Sequence, residues 1–185
     1  MLILRSKNID AIKLIIEKAL SLAKSLLAIS STWENAIKRK SMSKKAREIM
    51  NDHGLQEWNL VIDNARSRLG CCKYDKKIIT LSKRHLDLGK ECEIIDTILH
   101  EVAHALVGPD HWHDNVWKSM CVKIGAKPNR CKSVSDDFHD DAPLVAKCCN
   151  KKFYRYKKPS KNFTYRCPAC KLPITFKIRK NNFYR

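Results

Sequence analysis

The chain has 185 residues, of which 37 are Lys or Arg and 19 are Asp or Glu, so its formal net charge is +18. Its hydrophobic content of 44% is too high for a disordered chain and suffices for one domain, or one domain with a small appendage. The excess of positive charge favours a polyanionic partner such as nucleic acid.

The first part of the chain has the pattern of helices. Apolar residues recur at three- and four-residue steps over residues 9–29, which predicts an amphipathic helix in an N-terminal segment of residues 1–40. Charges every few residues exclude a membrane span there. After a Ser-rich joint, a second helix is predicted over residues 43–52, and His53-Gly54 fits its C-terminal end.

Strands and two further helices follow. Alternating apolar residues predict strands over residues 58–62, 69–74 and 77–81, the last two joined by a tight turn. A helix is predicted over residues 92–107 and a shorter one over residues 114–124. An Asp-rich run then leads into the last part of the chain as a linker.

The sharpest motif is H-E-x-x-H, formed by His100, Glu101 and His104 in the helix over residues 92–107. Residues four apart share a helix face, so both imidazoles can bind one metal ion. Glu101 projects beside them, where it can act on a water molecule. The pattern therefore predicts a metal site of the metallopeptidase kind.

A catalytic zinc usually has three protein ligands and one open position. The break at Gly108-Pro109 lets the chain fold back towards the helix, and two histidines follow it, His111 and His113. We prefer His113, because it directly precedes the next helix, which would fix its position. His111 lies in the turn itself.

Several motifs in the right order resemble the SprT-like metallopeptidase family, which includes the DNA-dependent protease Spartan. They are HGLxxWxLxxDxAxxRLG in residues 53–70, the strand that ends in Leu81-Ser82, TILHEVAHALVG in residues 97–108, and HWHD in residues 111–114 followed by Trp117. The resemblance implies an α+β, zincin-like fold and a zinc peptidase that cuts DNA-bound or DNA-crosslinked proteins. In it, His100, His104 and His113 bind zinc, and Glu101 is the general base.

The walls of the cleft can also be proposed from the sequence. The strand over residues 77–81 is a plausible sheet edge on which an extended substrate adds as a further strand, which predicts low sequence specificity. Trp112 and Trp117 could line the cleft, although the helical spacing of Trp117 is more typical of a core residue.

The positive charge is concentrated near the end of the chain. Residues 142–185 contain thirteen Lys or Arg, no Asp or Glu, and eight of the fourteen aromatic residues. Basic side chains neutralise phosphates and aromatic rings stack on unpaired bases, so we expect a DNA-binding module that prefers single strands or junctions. The candidate contacts are Lys151, Lys152, Arg155, Lys157, Lys158, Lys161 and Arg166.

Cysteines in the same module predict a zinc ribbon. Cys167 and Cys170 form a C-x-x-C knuckle between strand-like stretches over residues 162–166 and 174–178. Cys148 lies at the distance expected for the second half of such a ribbon. We therefore expect a second, structural Zn²⁺ beside the catalytic one.

The fourth ligand of this ribbon stays open. The residue three positions after Cys148 is Lys151, so a second C-x-x-C pair is missing. Cys149 is one alternative, although adjacent ligands strain the backbone. His139 and Cys131 are others, and so is a module with three cysteines or without metal.

The remaining cysteines are interpreted as small core residues rather than nucleophiles; they are Cys71, Cys72, Cys92 and Cys121. An odd count of nine and a start without the pattern of a secretion signal favour a reducing compartment. We expect a protein that is intracellular, cytoplasmic or nuclear, monomeric, and not bound to a membrane.

Three segments result: a helical segment (1–40), a metallopeptidase domain (41–135) and a basic zinc-ribbon-like module (142–185). The competing hypothesis is a nucleic-acid-binding zinc protein without proteolysis, in which the H-E-x-x-H site is structural. The presence of Glu101 argues against it, because a structural site does not need that carboxylate.

Overall fold

The computed structural model describes residues 2–129, 136–160 and 162–179. It shows the α+β class expected from the sequence, with two small sheets. The elements in chain order are α1 (Leu2–Asp52), β1 (Asn59–Asp63), β2 (Gly70–Lys73), β3 (Ile78–Ser82), α2 (Lys83–Leu88), α3 (Glu91–Val107), α4 (Asn115–Lys123), a 3-10 helix (Asp136–His139), β4 (Leu144–Cys148), β5 (Lys151–Arg155) and β6 (Lys177–Ile178).

The first helix is continuous, and the predicted Ser-rich joint is wrong. The hydroxyls of Ser31 and Thr32 both donate to the carbonyl oxygen of Ala28, at 2.9 and 2.8 Å, so these side chains are satisfied inside the helix. The predicted end at Gly54 is confirmed. There φ is +77°, and the amide of Leu55 donates to the carbonyl of Met50 in a Schellman cap.

The first sheet has the strand order β1-β3-β2, with β1 parallel and β2 antiparallel to β3. The predicted hairpin between β2 and β3 is confirmed. The prediction that residues 77–81 form a sheet edge is wrong, because β3 is the central strand. The edges are β1 and β2.

The core lies between the last turns of α1, strand β3 and helix α3. These elements contribute apolar residues at helical or strand spacing, and the cluster includes Met42, Ala46, Met50, Ile79, Leu81, Ile94, Ile98 and Val102. The opposite edge of α3 packs on α4. Burial on two sides therefore holds α3, which carries the H-E-x-x-H motif, in a fixed orientation.

Helix α2 was not predicted from the sequence. It begins directly after β3, where the hydroxyl of Ser82 accepts the amide of His85 as an N-cap. It is only six residues long, so its periodicity is too short to identify. The predicted helices over residues 92–107 and 114–124 are confirmed within a residue at each end.

The second sheet has the order β5-β4-β6. Strands β4 and β5 form a hairpin whose two central turn residues, Cys149 and Asn150, have φ of +49° and +56°, as a two-residue hairpin turn requires. Of the two strands predicted around the C-x-x-C knuckle, the structure forms β6 and a single bridge between Arg166 and Pro173.

Asp141 joins this second sheet to the first part of the chain. Its carboxylate forms ion pairs with Arg66 and Arg84, at 3.2 and 3.0 Å, and accepts the hydroxyl of Tyr156 at 3.1 Å. The Asp-rich run predicted as a linker is thus a contact point between the two parts. Among the described helices, none has the length and apolar character needed to span a membrane.

Candidate metal centres and active-site cleft

A cleft of about 440 Å³ lies between the edge strand β2 and helix α3. Its wall combines the loop before β2, β2 itself, α3 and the turn before α4. The lining includes Arg68, Gly70, Cys72, Tyr74, His100, Glu101, His104, Trp112, His113 and Phe138. All four residues predicted for the catalytic site thus face one cavity.

Three histidine side chains converge in this cleft. The Nε2 atom of His113 lies 3.2 Å from Nε2 of His100 and 3.1 Å from Nε2 of His104. His100 and His104 share a face of α3, whereas His113 comes from the turn before α4. The structure therefore brings together the histidines that the sequence pattern singled out.

The turn that carries His113 is fixed by the cap of α4. Asp114 is the N-cap, and its Oδ1 accepts the amide of Trp117 at 2.9 Å. The other oxygen, Oδ2, lies 2.8 Å from Nδ1 of His111. His111 is thus paired with Asp114 while His113 faces the other two imidazoles.

Trp117 forms the floor of the histidine cluster. It is fully buried, and its ring lies 4.5–5.2 Å, centroid to centroid, from the rings of His100, His104 and His113. Trp112, by contrast, is 77% exposed and lines the mouth of the cleft. The core interpretation of Trp117 is therefore confirmed, and its contacts hold the imidazoles in place.

This donor set fits zinc. Two nitrogens bound to zinc at about 2.05 Å with tetrahedral angles are about 3.3 Å apart. The observed separations of 3.1 and 3.2 Å are close to that value. Burial, and then the charge of His113, lower the pKa of His104 to about 4, which keeps it as the neutral imidazole that binds metal.

Glu101 is buried beside the histidines, with 7% of its surface exposed. Burial raises the pKa of its carboxyl to about 8, against the lowering effects of a backbone hydrogen bond from Cys72 and of the charge of Arg68. A dication bound in the cluster would also lower the pKa of Glu101. A bound metal ion would thus favour the ionised carboxylate that a general base needs.

Strand β2 positions Glu101, a relation that the sequence analysis missed. The backbone amide of Cys72 is bonded to the carboxylate. Gly70 has no side chain at the point where a Cβ atom would lie 2.9 Å from both Cγ and Oε1 of Glu101. The sequence indicated Gly70 only as the end of a motif, because Gly70 and Glu101 lie 31 positions apart in the chain.

Arg68 is fixed next to this site. Its guanidinium donates to Oγ1 of Thr80 at 2.8 Å and forms an ion pair with Asp63. Because Thr80 and Asp63 lie on β3 and β1, this side chain ties the loop before β2 to the whole sheet. It also places a positive charge near Glu101 without a direct ion pair between them.

A second cluster of atoms that could bind a metal ion lies in the C-terminal module. The four Sγ atoms of Cys148, Cys149, Cys167 and Cys170 lie within 4.8 Å of one another. Sγ of Cys148 is 3.4 Å from that of Cys170 and 3.9 Å from that of Cys149. Zinc bound by four thiolates at about 2.3 Å would place them about 3.8 Å apart, so this set also fits zinc.

The hairpin turn explains how adjacent cysteines can face one centre. Cys148 ends β4, and the positive φ of Cys149 turns its side chain back towards the knuckle. His139, an alternative fourth ligand, instead stacks on Tyr154 at 4.8 Å. Cys131, the other alternative, lies outside the described residues. The geometry thus favours Cys149.

The remaining cysteines differ in their surroundings. Cys121 is buried, as expected for a core residue, whereas Cys71 and Cys72 are half-buried and line the cleft. Cys92 is exposed at the start of α3, so its prediction as a core residue is wrong. Burial, and then Glu101, raise the pKa of Cys72 to about 12, which agrees with a thiol that is not a nucleophile.

The predicted DNA contacts form two groups. Five are exposed, namely Lys151, Lys152, Lys157, Lys158 and Arg166. Arg155 is half-buried, with its guanidinium 4.3 Å from the ring centroid of Tyr165. Lys161 lies outside the described residues.

Several described aromatic rings of this module pack on neighbouring rings. Tyr165, for example, lies edge-on to Phe176 at 5.6 Å. Phe163 lies edge-on to Tyr165 at 4.8 Å, but 63% of it is exposed. Phe183 and Tyr184 lie outside the described residues. Of the stacking faces expected from the sequence, Phe163 is therefore the clearest one in the described part of the chain.

The architecture and the site together define an α+β domain of metallopeptidase type, with a helix that carries H-E-x-x-H and a third histidine facing it. Residues 39–137 match the model of the SprT-like family. The match covers more than half of the chain, which therefore belongs to the SprT-like family, as its motifs indicated. Neither the curated proteins nor the solved structures contain a significant match.

Proposed function

We propose that this protein is a zinc-dependent endopeptidase with a zincin-like active site. The observation that supports this most directly is the convergence of three Nε2 atoms beside a buried carboxylate in one cleft. His100, His104 and His113 would hold the ion. When bound there, Zn²⁺ would supply a Lewis acid that polarises the scissile carbonyl and acidifies the attacking water.

Glu101 moves the proton in this proposal. Its carboxylate takes a proton from the attacking water and passes it to the leaving amine. The backbone amide of Cys72 holds the carboxylate in the orientation that both transfers need. The low-dielectric surroundings that raise its pKa also strengthen its basicity once it is ionised.

The substrate would lie along β2 rather than along β3. Strand β2 is an edge of the sheet, and three of its residues, Gly70, Cys71 and Cys72, line the cleft. An extended polypeptide added at this edge is recognised mainly through its backbone. We therefore expect cleavage of unfolded segments with little sequence preference.

The basic module would deliver this activity to DNA. Its exposed lysines can neutralise phosphates, and Phe163 can stack on an unpaired base. Phe138, in the 3-10 helix that precedes the module, lines the catalytic cleft, and Asp141 anchors the module to Arg66 and Arg84. A protein bound or crosslinked to the same DNA would thus be held near the active site.

Metal dependence tests the peptidase. The zinc-loaded chain should cut an unfolded protein, lose this activity with a chelator and regain it when Zn²⁺ is added back. Glu101→Gln should retain zinc yet lower the rate by about 10²–10⁴, the usual contribution of a general base. A Glu101→Gln variant with wild-type activity would exclude the mechanism.

Charge reversal tests the delivery to DNA. Lys157→Glu with Lys158→Glu should weaken binding to single-stranded DNA and slow the cleavage of a DNA-conjugated protein, but not that of the same protein without DNA. The matched control carries the same change of charge on α1, at Lys44 and Lys45. Both side chains are exposed, and both lie outside the module. Equal effects of both pairs would show that only the total charge matters.

A further inference from the structure

Much of helix α1 has no contact that would explain its apolar residues. Every side chain from Lys13 to Glu34 is exposed. Among the side chains of α1 that the structure describes, those that anchor the helix lie further along: Nζ of Lys38 donates to the carbonyl of Gly89 at 2.6 Å, and Arg39 forms an ion pair with Asp87. The exposed large apolar residues are Leu14, Ile15, Ile16, Leu20, Leu22, Leu26, Leu27, Ile29, Trp33 and Ile37.

Seven of these ten residues lie on one stripe with a seven-residue repeat. Steps of three and four lead from Ile16 through positions 19, 23, 26, 30 and 33 to Ile37, and all but Ser30 are apolar. Ile15, Leu22 and Ile29 widen the stripe at intervals of seven. A spacing of 3.5 residues, kept over three repeats, is the pattern of helices that wind around each other.

The low charge of this segment favours a second copy of the same segment as its binding partner, rather than a polyanion or an anionic membrane. Residues 13–37 contain three Lys and two Glu, a net charge of +1. Two such helices would hardly repel each other, in contrast to two C-terminal modules. A surface that attracts phosphates or anionic lipids would need a larger excess of positive charge on the polar face.

The apolar area is sufficient for a stable pair. The 25 residues of this segment span about 37 Å at about 1.5 Å per residue. The seven large apolar side chains of this stripe, each losing on the order of 100 Å² to a partner, together with Ala19 and Ala23, give about 800 Å² per chain. A stable protein interface buries about 800 Å² per partner.

We propose that residues 13–37 of α1 pair with the same segment of a second copy, so that the protein is a dimer. This replaces the monomer expected from the sequence and does not depend on the proposed peptidase activity. A dimer would carry two basic modules, and their linkage would raise the overall affinity for DNA.

The mass in solution tests this proposal. Sedimentation velocity of the full chain, at about 1–100 μM and in about 0.5 M salt to screen bridging by nucleic acid, should give twice the monomer mass of 21.4 kDa. Leu26→Glu with Trp33→Glu should give monomers. The control, Ser25→Glu with Thr32→Glu, places the same charges one residue earlier, on the polar face, and should remain a dimer.

The outcomes are distinguishable. The altered side chains are exposed, so circular dichroism and the melting temperature should show that all variants fold. A wild-type monomer at 100 μM, a trimer or tetramer, or a dimer that survives in the Leu26→Glu, Trp33→Glu variant would each overturn the proposal. So would a monomer whose α1 binds vesicles of uncharged phosphatidylcholine.

Discussion

Gly70→Ala tests whether β2 sets the position of Glu101, the proposed general base. Gly70 has no need of a glycine for its backbone conformation, since its φ is not positive, but a Cβ atom would lie 2.9 Å from Cγ and Oε1 of Glu101. Ordinary contacts of carbon atoms are about 3.5–4.0 Å. The carboxylate would thus have to move by at least about 0.6 Å.

The expected loss follows from this displacement. Misplacing a reacting group by about 1 Å can cost about 10²-fold in rate. For about 0.6 Å we expect kcat/KM to fall by about 10- to 100-fold, which corresponds to about 1.4–2.7 kcal/mol of transition-state stabilisation. The zinc content should not change, because the close contacts of the added methyl group are to Glu101 and not to the histidines.

The assay is steady-state cleavage of an unfolded protein, with zinc content and melting temperature measured on the same samples. A loss in kcat with KM unchanged supports a role of β2 in placing Glu101, whereas a rise in KM alone would mean that the methyl group blocks the substrate. Gly89→Ala is the control for overpacking, because its Cβ atom would instead meet His85. Wild-type kcat/KM in Gly70→Ala, or a loss that parallels lost zinc, would refute the role of β2.

Three further predictions concern the two candidate metal sites and the sheet. His113→Ala should lower the bound zinc by one ion per chain, whereas His111→Ala should keep it; equal zinc in both variants would contradict the choice of ligand. Cys149→Ser should lower the affinity of the C-terminal module for zinc, measured by competition with a chelator, and leave cleavage of free protein unchanged. Wild-type affinity in this variant would show that Cys149 is not the fourth ligand. Although burial alone would raise it, the pKa of Asp63 is held below 3.8 by the amide of Ala65 and by Arg68. The stability from this ion pair should therefore be present above pH 3.8 and vanish as pH falls through the folded-state pKa, so wild type and Asp63→Asn should converge in melting temperature at acid pH.

Local patterns predicted the parts of the fold that local interactions determine. The helix with H-E-x-x-H is long and strongly periodic, and the hairpin of β2 and β3 has a tight turn, so both could be predicted. The order of the strands could not be predicted, because β1 pairs with β3 although β2 lies between them in the sequence. The alternation of apolar residues does not encode such a long-range pairing. The Ser-rich stretch of α1 was misjudged because its hydroxyls bond within the helix.

In the candidate site, too, local sequence patterns predicted some features, whereas others depend on long-range packing. The spacing of His100 and His104 follows from the helix, and His113 could be preferred because a helix starts directly after it. The contacts of Gly70 and Cys72 with Glu101 arise only when β2 packs against α3, so no local pattern indicates them. The adjacent pair Cys148 and Cys149 seemed strained as ligands because the hairpin turn between β4 and β5 was not foreseen.

We propose that Glu101 and the three histidines make this chain a peptidase that acts on DNA-bound protein. The direct measurement is the cleavage of a protein crosslinked to single-stranded DNA by the zinc-loaded wild type and by Glu101→Gln at equal zinc content. We expect wild type to release peptides and Glu101→Gln to bind the conjugate without cutting it. Intact conjugate with the zinc-loaded wild type, or equal cleavage by both proteins, would rule out the proposed activity of Glu101 on DNA-bound protein.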